Sequence, residues 1–452
     1  MGTSSRYGGA ASTRAAPVRL AVGLAILLAG AGCARYRPLP LPAEPTPLRA
    51  AAAASFPRGP LGFAQVGVLV LQRDPDLVAA RRQRGVVQAQ LLQAGLLPDP
   101  AFVGGILPLT AGPGSTFAWN ASIQEDLRAV FTAPLRRRGA RDAGLQVDAQ
   151  LLWQEWQAVG QARLLYVQLV SGERALTVLR RTQAVFADRT ARLQRALALG
   201  DVTLTTAGPD TAALQAVRAQ VDALERQQLV RRHQLNALLD READALLALA
   251  GDPPVAVDPA AVDAAAAGIA RRRPDLIALR LGYRAQEART RLAVLDQFPA
   301  FSFGVGGGSD NSNVRSVGPQ FATTLPVFDR NRGDIALQRA TRAQLRAEYQ
   351  ARLDAAYGQA RAAATELRQA QAQLAAVRAD LPAAQSAAAK AAAAFRIGAL
   401  DELAYVDLIS AGLNKELEIA TLEQTVLEQQ VVLATLTGAS LPSVATLPDA
   451  AA

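Results

Sequence analysis

His233 is the only histidine and Cys33 the only cysteine among 452 residues. Two such ligands cannot build a Cys/His metal centre within one chain, because even an open catalytic zinc site takes three protein ligands. One cysteine cannot close an intrachain disulfide. A serine or threonine nucleophile would need His233 as its base unless a lysine or carboxylate supplied one, and His233 sits in the run VRRHQLNALLD and reads as a packed or solvated helix residue. No glycine-rich phosphate cradle is present. The residue types therefore predict no enzyme, no cofactor and no bound metal. What they leave is the physical work of elements that must be positioned along a long chain.

Composition points the same way. Half of the residues are apolar but only 5% are aromatic, and much of the apolar share is alanine, which favours close-packed helix. The net charge of +9 comes mostly from arginines scattered among Gln and Glu. No basic block is interleaved with aromatics, so nucleic acid is not an expected partner. At the amino terminus, Arg6, Arg14 and Arg19 precede an apolar run at 20–31. That run is too short to cross a bilayer as a helix and, with its basic flank, reads as an export signal over 1–32. The following segment, 33–60, is rich in Pro and Ala and suits an extended linker.

The elements behind that linker repeat. The tripeptide PDL at 75–77 recurs at 274–276, and PAF at 100–102 recurs as PAF at 299–301, both displaced by 199 residues. This predicts an internal duplication, 61–251 and 252–438. In the first half, Asp74-Pro75 opens a helix that runs to about Gly95, with Asp74 as N-cap. Strand-type alternation follows over about 100–127, best seen where Phe117, Trp119, Ala121 and Ile123 oppose Ala118, Asn120, Ser122 and Gln124. Long helices are expected over about 136–199 and 209–247, with Leu176, Leu179, Phe186, Leu193 and Leu197 on a heptad-like seam. The second half repeats this order. It has a helix from Pro274 to Gln297, a hairpin over about 299–328, and helices over about 334–394 and 401–438. Pro382 is expected to kink or interrupt the third of these. The tail, 439–452, reads as disordered. Gly200 and Gly398 mark the two far turns. Four strands cannot close a barrel, and open edges are not tolerated in lipid.

Several of these stretches carry resemblances. LLAGAGC at 27–33 resembles a bacterial lipoprotein box, which implies a diacylglyceryl thioether on Cys33. Ala34 after it is compatible with outer-membrane sorting, and one acylated residue tethers a chain without inserting it. RRPDL at 272–276, DQFPAFSFGVGGG at 296–308, LPVFDRNRGDIA at 325–336 and FRIGALDELAYVDLISA at 395–411, in that order and duplicated, resemble the outer-membrane efflux channels of the TolC family.

The resemblance implies a mainly α chain with a small β part, assembled as a homotrimer. Three sets of four strands would form a 12-stranded barrel in outer-membrane lipid, and the helices a periplasmic coiled-coil tube. The tube would dock on a periplasmic adaptor and an inner-membrane pump of the RND type, making a passive exit duct for drugs or heavy-metal cations. Carboxylates beyond the second tip would narrow the pore, a ring of them attracting cations. Asp407 matches one such position, Ala404 stands at the other, and Asp401 and Glu402 are nearby substitutes. Solvated tip charges are the other reading of all three. Gly200 and Gly398 become adaptor-contact tips, and Pro326, Phe328, Asp329, Arg330 and Gly333 the turn from barrel to tube. A type I protein-secretion duct and a pore-less periplasmic coiled-coil scaffold lipoprotein remain alternatives.

Overall fold

The computed structural model describes residues 36–41, 56–57, 59–251, 268–438 and 441. The chain divides into two units, Met1–Ser55 and Phe56–Ala452. Of the first, residues 36–41 are exposed and lack regular structure. Cys33, the signal run, most of the linker, the connection at 252–267 and the tail beyond 441 lie outside the described residues.

The second unit begins with three short helices, α1 (Phe63–Arg73), α2 (Pro75–Arg81) and α3 (Gln83–Gly95). Asp74 caps α2 as its position before Pro75 predicts, accepting from the backbone N–H of Asp76 at 2.9 Å and of Leu77 at 3.2 Å. The helix expected to run unbroken to Gly95 is split at Arg82, and α1 precedes it. Strands β1 (Ala101–Leu107) and β2 (Ala118–Asp126) follow, then α4 (Leu127–Leu199) and α5 (Leu204–Leu238). The second half supplies α6 (Ile269–Arg272), α7 (Pro274–Leu295), β3 (Ala300–Ser309), β4 (Arg315–Thr324), α8 (Arg332–Arg396) and α9 (Glu402–Thr437).

Three helix boundaries differ from the sequence reading, and each has a local cause. α4 starts at Leu127, one residue after β2, because the Asp126 carboxylate accepts from Arg128 N at 2.9 Å and caps it. Pro134 then lies inside the helix. α5 starts at Leu204, ahead of Pro209, which lies inside the helix in its second turn and forfeits one backbone bond there. It ends at Leu238, well before 247, because buried Asn236 turns the chain, its side-chain amide donating to Ala243 O and Ala245 O at 3.0 and 2.9 Å. Pro382 does not break α8, which runs through it for 65 residues.

The reason lies in packing. Ala356, Ala360, Ala363, Leu367, Ala370, Leu374 and Val377 are all buried in α8, spaced alternately four and three apart. That mean spacing of 3.5 is a coiled-coil seam, and its small side chains let α9 approach closely along most of its length. One lost backbone bond is minor against such an interface. At 1.5 Å per residue, the 73 residues of α4 span roughly 110 Å. Helix α4 is also the common partner of the fold: α1, α3, α5, α7 and α9 all pack on it.

Where the halves begin, polar groups lock the frame. Leu61 joins Leu249 in a parallel bridge, and Tyr166, fully buried against α1, donates its hydroxyl to Gly251 O at 3.0 Å. The corresponding place in the second half is an ionic cluster. Arg273 is 1% exposed, lies over the Trp153 ring at 4.7 Å, and pairs with Asp275 at 2.7 Å; Arg352 of α8 reaches the same carboxylate at 2.8 Å. Burial pushes the Asp275 carboxyl up, but hydrogen bonds and charge from Arg273 and Arg352 outweigh it and hold the group below its ordinary value. A folded-state value below the unfolded one stabilises the fold above the unfolded pKa, and that contribution disappears as pH falls through the folded value. Asp275→Asn should therefore lose about 3–5 kcal/mol at neutral pH by stranding Arg273. Urea unfolding followed by circular dichroism should show the gap between wild type and variant narrowing as pH drops below about 4.

Candidate functional site

The four strands form one antiparallel sheet in the order β1-β2-β3-β4. Each hairpin pairs within itself, and β2 pairs with β3 to join the two halves. Register decides what each face carries, since directly opposed residues share a face. Phe102 opposes Ile123, which opposes Val305, and Phe303 opposes Phe321. Ile106 and Trp119 complete this face, together with Phe301 and Val317. All of these apolar side chains are exposed. The opposite face carries Asn120, Ser122, Gln124, Ser302, Gln320 and several glycines, although β1 adds Val103 and Leu107 there. Gly304 is on this side because β2 lies too near for a side chain: a Cβ there would stand 2.2 Å from Ile123 O.

An outward row of Phe, Trp, Ile and Val over polar and glycine positions is the alternation of a membrane barrel wall. Strands of ten residues tilted about 40° rise roughly 25 Å, the height of the apolar band such walls present. Among the described residues no helix is long and apolar enough to cross a membrane. The two outer loops are tied together, with Ser115 N donating to Asn311 O and Asn311 Nδ2 to Thr116 O, both at 3.0 Å.

At the inner end of β4 the chain makes the turn holding Pro326, Phe328, Asp329, Arg330 and Gly333. Phe328 is 98% exposed. Arg330 and Asn331 both adopt positive φ, 49° and 56°. Asn331 pins the turn to α7 by donating to Ala293 O at 2.9 Å.

The far ends of the long helices are built alike. Gly200 and Gly398 have φ of 83° and 71°, the left-handed region that favours glycine. Each ends its helix with the same crossed pair of bonds: Asp201 N to Ala196 O and Gly200 N to Leu197 O, then Ala399 N to Ala394 O and Gly398 N to Phe395 O. Leu199, Leu204, Ile397 and Leu403 stand exposed around these turns.

The three carboxylates near the second tip are separated by the fold. Asp401 caps α9, accepting from Ala404 N at 2.8 Å. Glu402 faces α4 and pairs with Arg192 at 2.8 Å, a hydrogen bond that holds Arg192 above the ordinary arginine value despite some burial. Asp407 is exposed and makes no ion pair among the described residues. Beside them lies an arrangement that sequence reading missed. Arg189 of α4 is 4% exposed, forms an ion pair with Asp210 of α5 at 2.8 Å, and donates to Glu402 O at 3.3 Å. Helices from both halves thus meet on one guanidinium. No apolar pattern in the sequence marks it: only the structure shows Ala175, Thr182 and Arg189 buried at intervals of seven, so that a charge occupies a seam position. The expected seam leucines Leu193 and Leu197 are only half-buried, as is Phe186.

Residues 257–439 match the family model for outer membrane efflux proteins. The fold as a whole is that of solved outer-membrane channels. A membrane protein from Pseudomonas aeruginosa is 20% identical, with a TM-score of 0.69 over 83% of this chain and 93% of its own. CusC is 15% identical, with a TM-score of 0.67 over 90% and 99%. The Campylobacter jejuni outer membrane channel CmeC is 15% identical, with a TM-score of 0.66 over 84% and 86%. No curated protein matches the chain by sequence.

The Arg189–Asp210 pair predicts an asymmetric double-mutant cycle. Arg189→Met or Asp210→Leu alone leaves a buried charge unpaired and should cost about 3–5 kcal/mol, whereas the double variant should recover most of that loss. Chemical denaturation of the two single variants and the double variant measures this directly.

Proposed function

We propose that this chain, whose residues 257–439 match the family model for outer membrane efflux proteins, is the exit duct of a tripartite efflux pump. The observation that carries this reading is the sheet. It is apolar and aromatic on one face, polar and glycine-rich on the other, and open at β1 and β4. Unpaired strand edges are intolerable in a bilayer, so copies of the chain must close them. Three copies supply the twelve strands of a closed wall, and the long helices continue it into the periplasm as a tube. The duct performs no covalent chemistry; solutes pass down their gradient through it.

The paired apolar tips at Gly200 and Gly398 form the surface offered to a periplasmic adaptor, which links the duct to an inner-membrane pump of the RND type. Asp407 is the carboxylate left free to contribute one charge per chain to a constriction, since Asp401 is held in a cap and Glu402 by Arg192. A ring of three such groups attracts cations and resists closure by its own repulsion. The export signal and Cys33 support a lipid tether to the same membrane.

Membrane fractionation tests the assembly. Heat-resistant trimers in outer membranes are expected, and soluble periplasmic monomers would refute the duct. Cys33→Ala should abolish acyl labelling while trimers still form. Deleting the gene should sensitise cells to dyes and antibiotics or to divalent metals, and which group responds identifies the cargo.

A further inference from the structure

We propose that the turn leaving β4 is a binding site for anionic phospholipid at the periplasmic surface of the outer membrane. The inference rests on the duct reading, which sets the sheet in the bilayer. Phe328 is 98% exposed, and Leu325 and Val327 beside it are each 66% exposed. The turn follows directly on Thr324, the last residue of β4, so it continues from the inner edge of the apolar face that Phe321 and Val317 present. Phe131 of α4 and Phe298 after α7 are exposed at the same junction. Aromatic side chains at that depth lie where hydrocarbon gives way to headgroups.

Charge then selects the lipid. The exposed guanidinium groups of Arg330 and Arg332 make no hydrogen bond or ion pair among the described residues. The acids nearest in sequence keep their charge but pair with neither arginine among the described residues: Asp329 accepts from Asn331 N at 3.1 Å, and Asp334 from Gln338 Nε2 at 2.9 Å. On the adjoining α7 side, Asp296 is paired with Arg128 at 3.2 Å. Two free guanidinium groups, each able to hold a phosphodiester through a pair of N–H donors, thus flank an apolar anchor at headgroup depth. A zwitterionic headgroup also brings a cation that these arginines repel, and an anionic one does not. Near a membrane surface two arginines correspond to a preference of roughly tenfold or more, weakened by salt.

The test uses the full-length protein in vesicles of phosphatidylcholine alone or of equimolar phosphatidylcholine and phosphatidylglycerol. Native mass spectrometry after mild detergent release counts the lipids retained per trimer. Wild type should keep phosphatidylglycerol selectively, and Arg330→Gln/Arg332→Gln should lower that selectivity several-fold with trimers intact. Arg368→Gln, on the middle of α8, should leave it unchanged. Equal retention of both lipids by wild type, or selectivity unaltered in the double variant, overturns the proposal. So does a double variant whose trimers fall apart equally in both vesicles and in neutral detergent, which assigns the turn to contact between copies of the chain. Wild-type protein that never enters vesicles refutes the duct itself and the lipid site with it, a result distinct from insertion without lipid preference.

Discussion

An open four-stranded sheet with one apolar face is the constraint on which the rest of this structure depends. Its outer strands, β1 and β4, leave a row of backbone donors and acceptors without partners inside the sheet. Water satisfies such groups at an ordinary sheet edge, but hydrocarbon cannot, and each bare group there costs several kcal/mol. The apolar face and the open edges therefore make opposite demands on a single chain. One asks for lipid, and the other forbids it. In the proposed duct, self-association resolves the conflict, and the helices must then be arranged so that identical copies can meet edge to edge.

The helical part is suited to that task because it is long, thin and closely packed. α4 runs straight on from β2 and gathers helices of both halves along its length. The heptad seam of α8 is mostly alanine, so α8 and α9 approach closely with little side-chain volume between them. Apolar burial per turn is modest in such a seam, and specificity falls to a few polar contacts. Arg273, Asp275 and Arg352 tie α7 to α8 near the middle, and Arg189 with Asp210 ties α4, α5 and α9 near the tips. A buried ion pair adds little net stability, but mispairing it is costly, which makes it a good register mark for long helices that could otherwise slide by a heptad.

The duplication has been kept where backbone geometry demands it and has diverged where side chains do the holding. Both tips retain glycine at positive φ with the same crossed hydrogen bonds. The two PDL segments are held differently. In the first half Asp74 caps the helix from outside, while in the second Arg273 stands at that place and Asp275 turns inward to meet it. The glycine is dictated by φ alone, since a Cβ at Gly200 or Gly398 would touch nothing. The cap can be replaced by any arrangement that satisfies the same orphan donors.

The chain's order of elements, its repeat, both hairpins and the tip glycines were legible in the amino-acid sequence, because they rest on local rules: a period of two for strands, 3.5 for paired helices, and glycine where φ must be positive. Prolines misled at Pro134, Pro209 and Pro382, since a local penalty for one lost bond was weighed without the long interface that overrides it. The separate fates of Asp401, Glu402 and Asp407 were not legible either. Three carboxylates within seven residues look equivalent in a string; Asp401 becomes a cap through a local bond to Ala404 N, but only the packing of α9 on α4 engages Glu402 with Arg192 and leaves Asp407 exposed. Within the described residues, the sequence by itself determined the type and order of the elements, though not their boundaries. Tertiary structure decided which charged groups remain free, because that depends on neighbours some two hundred residues away in the chain.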